Sequence, residues 1–158
     1  MNPLSKLIFE LSKLPGIGEK SATRLAYYIL AQDESYSESL ATALREAKEK
    51  LRYCAECFDF SENPRCGICS DAGRDHGVIC VVERPSDVIP VERTGAYRGS
   101  YHVLHGLLSP LDGVGPEDLK MKELFVRLKD REVREVIFAL NPSVEGEATT
   151  LYLSRTQR

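Results

Sequence analysis

Four of the five cysteines fall in one short stretch, Cys54-x-x-Cys57 and Cys66-x-x-Cys69, with eight residues between the pairs. Each pair brings two thiolates within reach of one cation. Four thiolates complete the tetrahedral shell of zinc and leave no position for water, so the spacing predicts a structural site and not a catalytic one. The other use of a Cys-x-x-Cys pair is redox exchange. Two pairs in tandem outside a βαβ setting speak against it. The segment is polar and too short to bury an apolar core, so metal binding would supply its folding energy. Arg65 reads as a solvated charge. Cys80 stands apart in an apolar run and reads as core.

A second constellation is Leu14-Pro15-Gly16-Ile17-Gly18, followed at once by Lys20 and Arg24. Proline fixes φ, and the glycines permit positive φ and close approach of another molecule to the backbone. The turn opens onto a helix N-terminus, where unpaired N–H groups and the helix dipole favour an anion. Lys20 and Arg24 lie four residues apart, hence on one helix face, and both can reach a neighbouring phosphate. Ile17 would pin the hairpin to its own core. A plain helix–helix turn with solvated charges would use the same Pro-Gly, and the dipeptide alone leaves both readings open.

The third constellation is acidic. Glu83 follows the apolar run Val78–Val82, and a later apolar run leads into Asn141-Pro142-Ser143-Val144-Glu145-Gly146-Glu147. In open parallel sheets, function collects at the carboxyl ends of the strands, which would place Glu83 and this loop at one edge. Carboxylates at helix starts also favour the helix dipole, so a purely structural role for Glu83 and Glu147 stays open.

The elements that must hold these residues follow from periodicity. Leu4, Leu7, Ile8 and Leu11 predict a first helix ended by Pro15-Gly16. Ala22, Leu25, Ala26, Ile29 and Leu30 predict a second. Ser35 with Glu38 fits a capping box for a third, with Leu40, Ala43, Leu44, Ala47 and Leu51 on one face. From Gly77 the pattern becomes α/β. Val78–Val82, Tyr101–Leu104 and Val136–Leu140 read as strands, the first and last buried on both faces. Pro116 with Glu117 and Asp118 predicts the start of a helix running to Leu128. Residues 141–146 read as a loop before a last helix. This gives an α+β fold of three modules: a helical unit over 1–53, a four-cysteine zinc finger over 54–76 and an α/β domain over 77–158 with a largely parallel sheet.

Bulk composition narrows the function. The chain has 158 residues, 42% hydrophobic and 28% charged, with a net charge of −3. That balance argues against a protein coating nucleic acid with its whole surface. Residues 1–53 carry 8 Lys/Arg against 7 Asp/Glu and the remainder 13 against 17, which favours the front of the chain for a nucleic-acid face. Neither a signal peptide nor a membrane-length apolar run is present, so a cytoplasmic, nucleoid-associated location is expected.

The string Leu14–Gly18 with its basic helix resembles the helix-hairpin-helix DNA-binding motif. Such contacts position DNA without reading its sequence. Glu83 and the 141–147 loop resemble the Toprim domain of topoisomerases and primases. There the first strand ends in glutamate, and an Asp-x-Asp-x-x-Gly-Glu loop helps to hold Mg²⁺. Asn141 and Ser143 replace the two aspartates here, which implies weak or no Mg²⁺ binding and no strand cleavage. All three modules in order, with the stretch Ile79–Leu119, resemble the RecR family of bacterial recombination mediators from Leu4 to about Ser154.

That resemblance implies a non-enzymatic role in recombinational DNA repair. Such proteins act with RecO and RecF to load RecA at single-stranded gaps, and their subunits form dimers and rings. It implies DNA contact by Gly16, Gly18, Lys20 and Arg24, and one structural Zn²⁺ on Cys54, Cys57, Cys66 and Cys69. It also implies RecO contact on an acidic face with Glu83, Glu145 and Glu147. Members of the family continue further, so the chain reads as C-terminally incomplete, with an exposed sheet edge. A Mg²⁺-dependent Toprim nuclease or topoisomerase-like enzyme is the main alternative, and a zinc adaptor without DNA affinity a second.

Overall fold

A computed structural model describes residues 1–130 and 132–156, except the side chain of Asp130. Gln157 and Arg158, at the end of the expected third module, lie outside the described residues, as does Arg131. The chain forms two compact units, Met1–Lys50 and Leu51–Arg158.

The first unit holds three helices. Helix α1 (Pro3–Ser12) begins with proline at its first position, and the Asn2 side chain accepts the Ser5 N–H at 2.8 Å. Helix α2 (Glu19–Ala31) buries Ala22 and Ala26 completely. The expected apolar face is narrower than its sequence pattern, because Leu25 and Leu30 are exposed. Helix α3 (Glu34–Lys50) starts one residue before Ser35, closed by the Tyr36 N–H on the Asp33 carbonyl at 2.9 Å. Ser35 therefore lies inside the first turn and cannot act as the predicted cap. Helix α3 buries no residue fully and leaves Leu40 and Leu44 exposed. So small a unit has too little interior to cover three apolar stripes.

The second unit opens with a two-stranded antiparallel ribbon, β1 (Arg52–Tyr53) and β2 (Phe60–Ser61). Strands β3 (Asp75–Val82), β4 (Gly99–Val103) and β5 (Glu135–Phe138) then form a parallel sheet in the order β4-β3-β5. Helices α4 (Val88–Arg93), α5 (Met121–Asp130) and α6 (Val144–Thr156) complete it. Alternate residues of the central strand point to opposite faces. Ile79 and Val81 pack with Leu104, Leu119, Met121, Leu124 and Leu153, while Cys80 and Val82 pack with Val88, Tyr101 and Val103. Burial pushes the Cys80 thiol up to about 11, consistent with its reading as core.

One expected burial and two expected boundaries change. Strand β5 is buried on one face only: Val136 and Phe138 pack on the core, while Glu135 and Ile137 point to the other face and are exposed. Pro116–Asp118 forms a separate 3₁₀ turn, after which Leu119 is extended (φ −118°, ψ 169°) and buries its side chain. The helix therefore starts only at Met121. Helix α6 begins at Val144, so Glu145, Gly146 and Glu147 lie on its first turn and not in a loop.

Candidate functional site

The finger folds around its thiols. The ligand atoms of Cys54, Cys57, Cys66 and Cys69 all lie within 4.8 Å of one another. Backbone N–H groups of Glu56 and Cys66 donate to Cys54 Sγ at 3.4 and 3.3 Å. Those of Asp59 and Cys69 donate to Cys57 and Cys66 Sγ at 3.5 and 3.4 Å. Amides aimed at sulfur stabilise thiolates, the ligand form that zinc requires. Hydrogen bonding among the thiols is the leading cause that draws Cys66 far below the ordinary thiol range and pushes Cys57 and Cys69 above it. Four buried, converging sulfurs fit one structural zinc ion. Arg65 is not a free solvated charge: it pairs with Glu56 at 3.1 Å and donates to the Cys69 carbonyl at 2.8 Å, closing the knuckle.

The finger is locked to the edge of the sheet. The Val103 N–H donates to the Cys57 carbonyl at 2.8 Å. Phe58 takes a left-handed conformation (φ 67°), and its carbonyl lies 2.6 Å from His105 Nε2. Beneath it, fully buried His102 has Nε2 2.7 Å from the Lys120 carbonyl and Nδ1 3.1 Å from Arg127 Nη1. Nε2 must therefore carry the proton, and Nδ1 accepts from the guanidinium. Burial first, and then Arg127, push the His102 imidazolium down to about 3, so the ring is neutral. Spacing alone could not reveal this network, because His105 and His102 meet backbone carbonyls, and His102 meets the Arg127 side chain 25 residues away, only once the chain has folded.

In the helical unit, Leu14–Ile17 forms a tight turn closed by the Ile17 N–H on the Leu14 carbonyl at 3.1 Å. Pro15 and then Gly16 at φ +80° give it type II character. Gly16 is thus required by the chain's own geometry. Gly18 is different. It caps α2 at φ −83°, ψ 176°, a conformation open to any residue, and a Cβ there would meet nothing within 4 Å. With no side chain capping α2, the first amides of the helix stay open to an incoming group. Lys20 and Arg24 are exposed on α2 and enter no ion pair among the described residues.

At the carboxyl end of the sheet, the Glu83 carbonyl accepts the His105 and Gly106 N–H groups at 2.8 and 3.2 Å, and its carboxylate pairs with Arg84 at 3.1 Å. Ser143 caps α6: its Oγ accepts the Gly146 N–H at 3.1 Å and its carbonyl the Glu147 N–H at 2.9 Å. A Cβ on Gly146 would overlap the Asn141 carbonyl oxygen. A serine ahead of an acidic first turn is a helix-start signal that was legible in the sequence. Among the described residues the four cysteines converge as a metal-ligating group, whereas Glu83, Glu145 and Glu147 do not.

The family models match in the same order along the chain. Residues 4–48 match a model described as RecR, helix-hairpin-helix, residues 51–71 match the RecR four-cysteine zinc finger domain, and residues 77–158 match one described as Toprim domain. The chain is 55% identical to the recombination protein RecR of Heliobacterium modesticaldum, over 97% of this chain and 77% of that protein. It is 53% identical to the recombination protein RecR of Myxococcus xanthus, over 98% of this chain and 78% of that protein.

Proposed function

The chain belongs to the RecR family, and we propose that it is a non-catalytic DNA-binding mediator of recombinational repair, acting with RecO and RecF to load RecA at single-stranded gaps. The observation that carries the DNA reading is the hairpin: Gly18 leaves open space at an uncapped helix N-terminus, with exposed Lys20 and Arg24 on the same helix. Gly16 shapes the turn, Gly18 admits a phosphate to the backbone, and the two cations hold it. Zinc holds the finger, and the acidic edge with Glu83, Glu145 and Glu147 receives RecO. Self-association through the helical unit, whose Tyr27, Leu30 and Leu44 are exposed, builds the dimer from which a ring is made. The working modules are 1–53, 54–76 and 77–158, and the protein works at the nucleoid.

Non-catalysis is supported by what the Toprim positions do instead. Ser143 is committed to capping α6, Asn141 is neutral, and the Glu83 carboxylate is engaged by Arg84. The test is fluorescence anisotropy on labelled gapped DNA over a salt series, with Mg²⁺ present and the DNA inspected afterwards. Salt-sensitive binding that weakens in Lys20→Ala/Arg24→Ala, with intact DNA, is expected. Each lost phosphate contact should reduce the log–log salt slope by about 0.7–0.9. Nicking that requires Mg²⁺ would replace this reading with the nuclease one.

A further inference from the structure

Leu111 is 99% exposed, at the tip of the loop that follows β4. Single exposed leucines are ordinary on a protein surface. This one differs because the loop presenting it is braced at every step. Ser109 and Val114 exchange backbone hydrogen bonds at 3.1 and 2.9 Å. Inside that bridge, the Asp112 N–H donates to the Ser109 carbonyl at 3.1 Å and the Ser109 hydroxyl to the Asp112 carboxylate at 2.9 Å. Gly113 closes the turn at φ +73°, with its N–H on the Pro110 carbonyl at 3.2 Å. The base of the loop is tied to α6, where Thr149 Oγ1 accepts the Leu108 N–H at 2.9 Å. The backbone that presents this side chain is ordered before any partner arrives, which lowers the ordering cost of an interface built on the loop.

The surroundings define what it fits. Beside the knob runs a groove lined by Leu108, Val114, Pro116 and Tyr152. The acidic residue Glu117 lines the groove, Asp112 and Asp118 are exposed on the same segment, and Glu145 stands one turn before Thr149 on α6. DNA would be repelled by these carboxylates. A two-fold contact with a second copy would set acid against acid. We infer that Leu111 is the apolar anchor by which this loop docks into a partner protein whose cleft is apolar at its floor and rimmed by Lys and Arg. The inference rests on the proposed acidic partner face and adds to it the side chain that carries the affinity.

The experiment measures binding of purified RecO to the full zinc-loaded chain, for wild type, Leu111→Ser and Leu111→Met. Because Leu111 is almost wholly in solvent, both variants should keep the melting temperature, one zinc per chain and DNA affinity. The expected result is a loss of about tenfold or more in RecO affinity for Leu111→Ser, near-normal binding for Leu111→Met, and weaker wild-type binding as salt rises. Equal binding by wild type and Leu111→Ser overturns the anchor while leaving the partner reading intact. No binding by wild type overturns both. Loss of self-association or of DNA binding in Leu111→Ser also overturns it, in favour of a second copy or of DNA as the occupant.

Discussion

The Cys57 carbonyl accepts the Val103 amide at 2.8 Å, so a zinc ligand and the outer edge of β4 share one hydrogen bond. The edge amide that parallel strand β4 would otherwise expose is satisfied by the metal knuckle. The finger thus covers a sheet edge, a role distinct from any contact it makes with other molecules.

Removing zinc should therefore loosen more than the finger. Chelation, or Cys66→Ser, is expected to raise hydrogen exchange at Val103 and His105 as well as within residues 54–69, and to lower the melting temperature. Protection at Val103 that survives zinc loss would show that the edge does not depend on the knuckle.

Gly18→Ser separates the needs of the hairpin from those of its ligand. Serine suits the N-cap position and the extended backbone there, so stability should hold or rise by roughly a few tenths of a kcal/mol. Its hydroxyl would take up the amides proposed for phosphate, and DNA affinity should fall several-fold. Gly16→Ser, at φ +80°, should instead destabilise the unit by about 1–2 kcal/mol. Undiminished DNA binding by a well-folded Gly18→Ser protein would remove the phosphate site.

Gly146→Ala should damage the sheet domain. The added carbon would overlap the Asn141 carbonyl oxygen, and relieving that overlap moves the start of α6. A cost of about 1–3 kcal/mol or more is expected from denaturant melts. Ser143→Ala, which removes only the cap, should cost about 1 kcal/mol. A Gly146→Ala protein as stable as the wild type would contradict the close approach.

His102 predicts an acid-side dependence of stability. Its folded value, about 3, lies below the ordinary 6.5, so the unfolded chain binds the extra proton first. This contribution is fully present above pH 6.5 and declines as pH falls towards 3, by about 1.4 kcal/mol per unit in that window. The Arg127 and Lys120 cations facing the ring oppose its protonation, and the hydrogen bond to the Lys120 carbonyl partly offsets them. Urea melts of wild type and His102→Gln at pH 7.5, 6.5 and 5.5 should converge as pH drops. A constant difference between the two would exclude His102 as the source.

The sequence made several features legible because they depend on near neighbours. Cys-x-x-Cys pairs bring thiols together through local turns, and Pro15-Gly16 with a glycine two residues on defines the hairpin. Val78–Val82 reads as a buried parallel strand because both of its faces are apolar. Periodicity was less reliable where packing decides. Leu25, Leu30 and Leu40 follow helical spacing yet remain exposed, because the small unit cannot cover them. Val136–Leu140 looks like a strand buried on both faces, but only the face with Val136 and Phe138 is covered.

Amino-acid order alone thus determined the three modules, the zinc ligands and the basic hairpin, since each is encoded by residues a few positions apart. Tertiary structure decided what joins the finger to the sheet. Phe58 with His105 and Cys57 with Val103 are far apart in the chain and meet through backbone carbonyls of the finger, which every residue carries. Such groups leave no trace in residue type. Only the folded path of the chain determines which of them meet.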